Sequence, residues 1–323
     1  MNTTSMRFAR TLAFGLLLLA SSAHAQSYPN HPIRVVVPFP PGGGGDVLMR
    51  PLGKRLSEIL GQPIIIDNKG GANGNIGADF VAKAAPDGYT VLLGNSSLPI
   101  SATLYDKLNF DPVKDLTMIS LVSNTPSALV VNPALPVRNM AELIALAKAR
   151  PGKLNFGSAG SGSTPHLSME QLKYMAGVDM VHVPYKGSGP AVTAVVAGDV
   201  DVLVSNIGTV LSLIQAGKLR AIGVTTATRS AALPAVPPIG ETVAGYDSRT
   251  WYALMGPANL PAPIVARLNA AINEAVRTPE IRDQLIAMGY EPEAGTPEAM
   301  TALFRADIVG WGKVVKTSGA TAE

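Results

Sequence analysis

The 323-residue sequence contains no cysteine. That excludes a disulfide framework, a thiolate zinc site, an iron–sulfur cluster and a cysteine nucleophile. Four histidines leave little material for a histidine-based metal site, and none is expected. Charged residues make up only 15% and the formal net charge is +3, with no basic run. Nucleic acid is therefore not an expected partner. The low charge does not signal disorder, because hydrophobic residues reach 47%. Familiar motifs are missing too. The glycine-rich stretch 38–46 does not read G-x-G-x-x-G, since Val47 takes the last position, and no Gly-Lys-Ser/Thr follows it. Neither Ser161 nor Ser163 sits in a G-x-S-x-G elbow, because Ala159 and Ser161 occupy the places two before them.

What is present begins with an address. Arg7 and Arg10 precede the apolar run Thr11 to Ala20, and Ala23-His24-Ala25 gives the small-x-small pattern of a cleavage site. Residues 1–25 therefore read as a signal peptide cut after Ala25. The apolar run is about half the roughly 20 residues a membrane span needs, and charges, Gly and Pro interrupt all later ones. No cysteine follows it, so lipid anchoring is excluded. A free soluble protein is retained near its cell by an outer membrane, which points to the periplasm.

After that segment, β-rich runs alternate with helical patterns. Ile33 to Val37 (IRVVV) reads as a buried parallel strand. Asp46 heads an apolar-periodic helix through Leu48, Leu52, Leu56 and Leu60, with Gly61 as its C-cap. Strands follow at 63–67 and 90–93, with a glycine-rich turn at 70–77 and a helix at 78–85 between them. Further strands are expected at 128–131, 154–156, 180–183, 200–204, 219–224 and 251–255. Further helices are expected at 140–149, 164–176, 190–197, 263–276, 279–288 and 297–315. This order predicts two α/β lobes, each a mostly parallel sheet flanked by helices. The C-terminal helices have few strands of their own, so they should return to the first lobe. The first domain is then 26–124 with 250–323, and 125–249 is inserted.

Two glycine-rich segments stand out. Pro38 to Asp46 (PFPPGGGGD) links a buried strand to a helix start, where glycines admit close backbone approach and unpaired N–H groups favour an anion. The plain alternative is a tight turn capped by Asp46. Gly157 to Thr164 (GSAGSGST) repeats the arrangement, and Ser158, Ser161, Ser163 and Thr164 add hydroxyls suited to a carboxylate. Its alternative is a flexible surface turn. Asn95-Ser96-Ser97, Tyr185-Lys186-Gly187 and Ser205-Asn206 also follow strands, at the ends where open α/β sheets bind ligands. His166 lies three residues after Ser163, which is poor triad geometry, and reads as a capping or cleft-lining group. His182 and Asp201 read as structural, and Asp199 as solvated.

Together, YPNHPIRVVVPFPPGGGGD, GQPIIIDNKGGANGNIGADFVAKAAPDGYTVLLGN, ARPGKLNFGSAGSGSTPHL, VHVPYKGSGPAV, AGKLRAIGVTTATRSAALPAVPPIGE and WYALMGPANLP resemble the Bug-type receptors of tripartite tricarboxylate transporters. The resemblance spans Tyr28 to about Gly319. It implies a two-lobed, type II periplasmic-binding-protein architecture with a hinge. It implies a small carboxylate or related amide as ligand and a membrane permease as partner. No cofactor, metal or catalysis is implied, and the protein is expected to be monomeric. Carried over residue by residue, it implicates Phe39, Pro40, Gly42, Gly43 and Asp46 in the first lobe. In the second it implicates Ser158, Gly160, Ser163, Thr164, His166 and Tyr185. Asn95, Ser96, Ser97, Ser205 and Asn206 are positions that vary with ligand. The sequence departs from the family at Pro51, which is expected to shift the helix start, and at Ser205-Asn206. Two alternatives stay open: a ligand sensor for a two-component system, and a periplasmic hydrolase using Ser163 or Ser161.

Overall fold

A computed structural model describes residues 28–322, so the expected signal peptide and its cleavage point lie outside the described residues. The β-branched run β1 (Ile33–Val37) is buried at every position except Arg34. It lies between β2 (Ile64–Asn68) and β3 (Thr90–Asn95), parallel to both. Burial on both faces is what a continuous apolar run requires. On the other side of β3 the sheet turns antiparallel: β10 (Thr250–Pro257) is next, then β4 (Leu116–Thr125), with β11 (Glu291–Pro292) at the edge.

The second sheet has the order β7 (Val181–Pro184), β6 (Asn155–Ser158), β8 (Val202–Asn206), β5 (Ser127–Val131) and β9 (Arg220–Val224). Here β6 is parallel to both neighbours, and β5 is antiparallel to both of its own. The two α/β sheets flanked by helices match expectation, but neither is mostly parallel: three of five ladders in the first sheet and two of four in the second are antiparallel. Those ladders centre on β5 and β10, the strands through which the chain crosses between sheets. They need no crossover helix and so no right-handed parallel connection.

Helix α1 (Gly44–Leu60) buries Leu48, Leu52, Leu56 and Leu60 in one core with β1 and helix α8 (Ala262–Arg277). Each such leucine contributes about 1.5–3 kcal/mol. The helix starts two residues before Asp46, with Gly43 as N-cap, and runs through Pro51 unbroken. Gly61 ends it in the left-handed region, φ +69°. Helices α2 (Asn75–Ala82), α4 (Met140–Ala149), α5 (Thr164–Ala176) and α6 (Ser188–Ala197) fall at or near expected places. So do α9 (Pro279–Ala287) and α10 (Pro297–Ser318). Four named strands and helices have no counterpart in the sequence reading: α3 (Ser97–Leu104), the ten-residue β4, α7 (Ile207–Gln215) and the two-residue edge strand β11. Helix α10 touches both halves of the molecule. Its Trp311 and Val315 pack with Ile100 and Leu104 of α3 and with Leu167 of α5.

Candidate functional site

The C-terminal ends of β1, β3, β6, β7 and β8 point toward one region, and each is followed by a helix or a turn into one. A cavity of about 40 Å³ lies there, room for only a few water molecules. Phe39 to Gly45 line it from the first sheet's side, apart from Gly42, with Asn95, Ser97, Thr250 and Tyr252. Ala159, Ser163 to Pro165, Gly187 to Pro190 and Asn206 face them from the second. No charged side chain is among them.

Five helices begin at this cavity. Gly43 and Gly44 open α1, Ser97 opens α3, Ser163 and Thr164 open α5, Gly187 and Ser188 open α6, and Asn206 precedes α7. Their first N–H groups have no partner within the helix, and each axis carries about half a positive charge at this end. The polarity therefore favours an anion without a cationic side chain.

The first loop is set by its backbone. Gly42 has φ +80°, and its N–H donates to Asp46 Oδ2 at 2.9 Å. Asp46 is 1% exposed and also accepts from Arg50 at 3.0 Å, so its carboxylate is spoken for. Gly43 has φ −74°, an ordinary conformation. The crowded glycine is Gly44: a Cβ there would collide with the Tyr252 hydroxyl and stand 2.9 Å from Asn206 Oδ1. Burial pushes the Tyr252 phenol well above its ordinary value, so it remains a donor. It donates to Asn206 Oδ1 at 3.3 Å, joining the two sheets across the cavity.

The second loop is set by side chains. Ser163 Oγ donates to the Gly160 carbonyl at 2.6 Å and accepts from the His166 N–H, capping α5. Ser158 Oγ lies 2.6 Å from His182 Nε2. His166 Nδ1 accepts the Gly162 N–H at 3.0 Å, which leaves the His166 proton on Nε2. The two imidazoles stack with centroids 3.8 Å apart, and Phe156 stacks on His182. Burial, then the neighbouring His182 and Lys173, push His166 down to about 3. Burial and Lys173 push His182 down to about 4. Both rings are neutral at neutral pH. The Ser158–His182 contact has the look of a nucleophile with its base, yet Ser158 is fully buried and does not line the cavity.

Of the residues singled out in the sequence, Phe39, Pro40, Gly43, Asn95, Ser97, Ser163, Thr164 and Asn206 line the cavity. The others stand behind it. Gly42 and Asp46 shape the first loop. Ser96 Oγ meets Thr164 Oγ1 at 2.7 Å, between the sheets. Ser158, Gly160 and His166 brace the second loop. Tyr185 packs against the second sheet's core, and Ser205 Oγ bonds Thr209 at 2.6 Å. Gly44, Ser188, Thr250 and Tyr252 are cavity residues the sequence did not single out. Of the Tyr185-Lys186-Gly187 turn it is Gly187 that lines the cavity, and Ser188 directly follows it. Nothing local marks Thr250 or Tyr252. Asn73, also missed, donates from Nδ2 to the Gly162 carbonyl at 2.7 Å and forms another tie between the halves.

Comparison with known proteins agrees with this geometry. Residues 48–320 match the family described as "Tripartite tricarboxylate transporter family receptor". The protein BugT of Bordetella pertussis strain Tohama I is 38% identical over 307 residues, 94% of each chain. Among solved structures, Rpa4515 of R. palustris with adipate superposes with a TM-score of 0.88 at 37% identity, covering 91% of this chain and 99% of that one. MatC of Rhodopseudomonas palustris with bound malate gives a TM-score of 0.84 at 32% identity, covering 89% and 100%. The periplasmic binding protein BugD gives 0.86 at 30% identity, covering 91% and 99%.

Proposed function

The chain belongs to the tripartite tricarboxylate transporter receptor family, and from that premise we propose that it closes on one small organic carboxylate in the periplasm and passes it to a membrane permease. One observation carries the reading: five helix N-termini meet at a cavity lined by no charged side chain. Such a site holds a carboxylate by backbone N–H groups and hydroxyls, at little desolvation cost from buried cations. The relatives named above hold adipate and malate, so small aliphatic dicarboxylates are the first ligands to try here.

The lobes are 26–124 with 250–323, and 125–249, hinged where the chain crosses from β4 to β5 and again into β10. At about 40 Å³ the present cavity is too small for a dicarboxylate, so a ligand enters only when the lobes part. Residues 1–25 direct export, and the periplasmic protein should begin at Gln26 by intact mass.

A hydrolase reading through Ser163 finds no free base beside that hydroxyl. The Ser163 hydroxyl donates to a carbonyl, and the nearby imidazole Nδ1 is occupied by the Gly162 N–H. The deciding experiment is a thermal-shift screen of the chain from Gln26 against mono-, di- and tricarboxylates and their methyl esters. A bound acid at 100 times its Kd adds about 2.7 kcal/mol to stability. Stabilisation by an acid and not by its ester is expected; a screen in which no acid shifts the melt sinks the proposal.

A further inference from the structure

Strand β10 has two working faces. Thr250 and Tyr252 line the front cavity, while Trp251 between them lines a groove on the opposite face. That is the alternation a strand imposes. The two spaces differ sharply in size, about 40 Å³ in front and about 610 Å³ behind. The rear groove straddles the crossing between lobes: α10 and β4 form one wall, and Gln171 of α5 contributes from the other lobe. Its charge is the reverse of the front. The exposed Asp247 and Glu293 and the half-buried Asp307 are three carboxylates in its lining, where Arg249 is the one cationic side chain. Arg249 is already engaged by Asp247 at 3.2 Å. Asp307 accepts the Trp251 Nε1–H at 2.6 Å, and Glu293 accepts from Asn124 Nδ2. The remaining walls are mixed: Asn124, Gln171 and Ser248 are polar, while Leu121, Trp251, Met300, Leu303, Trp311 and Val314 form the apolar part.

We propose that this rear groove is a second binding site, for a small organic cation with an apolar body, and that its occupant holds the front cleft shut. The coupling rests on the hinge reading above; the site itself does not. A groove behind a hinge widens as the front closes, so a molecule that fits the wide groove binds the closed form better. A ligand with such a preference shifts the lobes toward closure, and by reciprocity tightens whatever the front holds.

Benzyltrimethylammonium serves as the probe, with benzyl alcohol and benzoate as the neutral and anionic controls. Calorimetry on the chain from Gln26 should show one site for the cation and none for the controls. The double variant Asp247→Asn, Glu293→Gln should weaken it at least tenfold, and Arg249→Gln should strengthen it a few-fold. All three positions are exposed, so the fold should persist, which a melting curve checks. Equal binding of benzyl alcohol, or affinity unmoved by the double variant, overturns the site. Solution scattering without any organic acid tests the coupling: the radius of gyration should fall as the cation is added, and a constant radius at saturation overturns that part. No step of this test depends on an acid binding in front, so its failure is separable from failure of the carboxylate reading.

Discussion

The loop after β1 and the loop after β6 occupy matching places in the two sheets, and each turns a buried strand into the start of a helix. They are built from different materials. The first is a backbone device: a positive-φ Gly42, a buried carboxylate held by Arg50, and a glycine at 44 pressed between Tyr252 and Asn206. The second is a side-chain device: hydroxyls of Ser158 and Ser163, and two stacked neutral imidazoles behind them. The first should be sensitive to added atoms and indifferent to pH near neutrality. The second should tolerate small steric changes and respond to protons.

Gly44→Ala breaks the first side of that contrast. A methyl group in so filled a space costs about 3 kcal/mol, or about 100-fold in ligand affinity by calorimetry. The unliganded melt should change much less, because alanine favours a helix over glycine by about 0.5–1 kcal/mol. Adding Tyr252→Phe removes the hydroxyl that the methyl meets and should restore part of the affinity. Full affinity in Gly44→Ala alone would show that the lobes do not meet there.

Lowering the pH tests the second side. Both imidazoles have native values, about 3 and about 4, below the ordinary 6.5 of an unfolded histidine. The unfolded chain therefore takes up protons first, so stability is full above about 6.5 and falls as pH drops toward 4. Urea melts should lose about 2 kcal/mol for each imidazole, about 4 kcal/mol together, between pH 7 and pH 5. His182→Gln should flatten that slope. Amide exchange sharpens the comparison further: Gly162, whose N–H is accepted by His166, should lose protection over this range, and Gly42, accepted by Asp46, should keep it.

Ser163→Ala removes a helix cap, at about 1 kcal/mol of stability in a denaturant melt. A much larger loss of affinity than of stability would instead place the hydroxyl on the ligand. Asn73→Ala should have the smallest effect. It deletes one hydrogen bond made only when the lobes meet, worth about 1 kcal/mol, so affinity should drop about fivefold with the unliganded melt unchanged.

Most strands and helices were legible because their signals are local. IRVVV can hardly be other than a buried strand, and Gly61 and Gly177 close their helices in the left-handed conformation. What escaped lacked such signals. β4 (LTMISLVSNT) mixes hydroxyls and apolar groups, is buried at eight of ten positions and so shows no two-residue alternation. Helix α3 carries Pro99 in its first turn and barely separates polar from apolar faces. Helix α7 follows β8 with no loop to mark the change. The site divides the same way. Glycine-rich loops announce themselves, and their roles as lining or bracing do not, since that depends on where each hydroxyl finds its partner. Tyr252 is more than 200 positions from Gly44, and only the sheet brings them together.

The position of β10 has a consequence for how the chain is made. It pairs with both β3 and β4, which are its neighbours in the sheet but precede it by more than a hundred residues. A growing chain that has reached Arg249 already holds every strand of the second sheet, while the first still has a gap in its middle. The later-made lobe is thus free to fold first. The earlier-made one must wait with the edges of β3 and β4 unpaired, an interval in which they are open to wrong partners. Closing that gap joins distant parts of the chain and is the slow kind of step. A chain truncated before β10 should therefore yield one sound lobe and one aggregation-prone half.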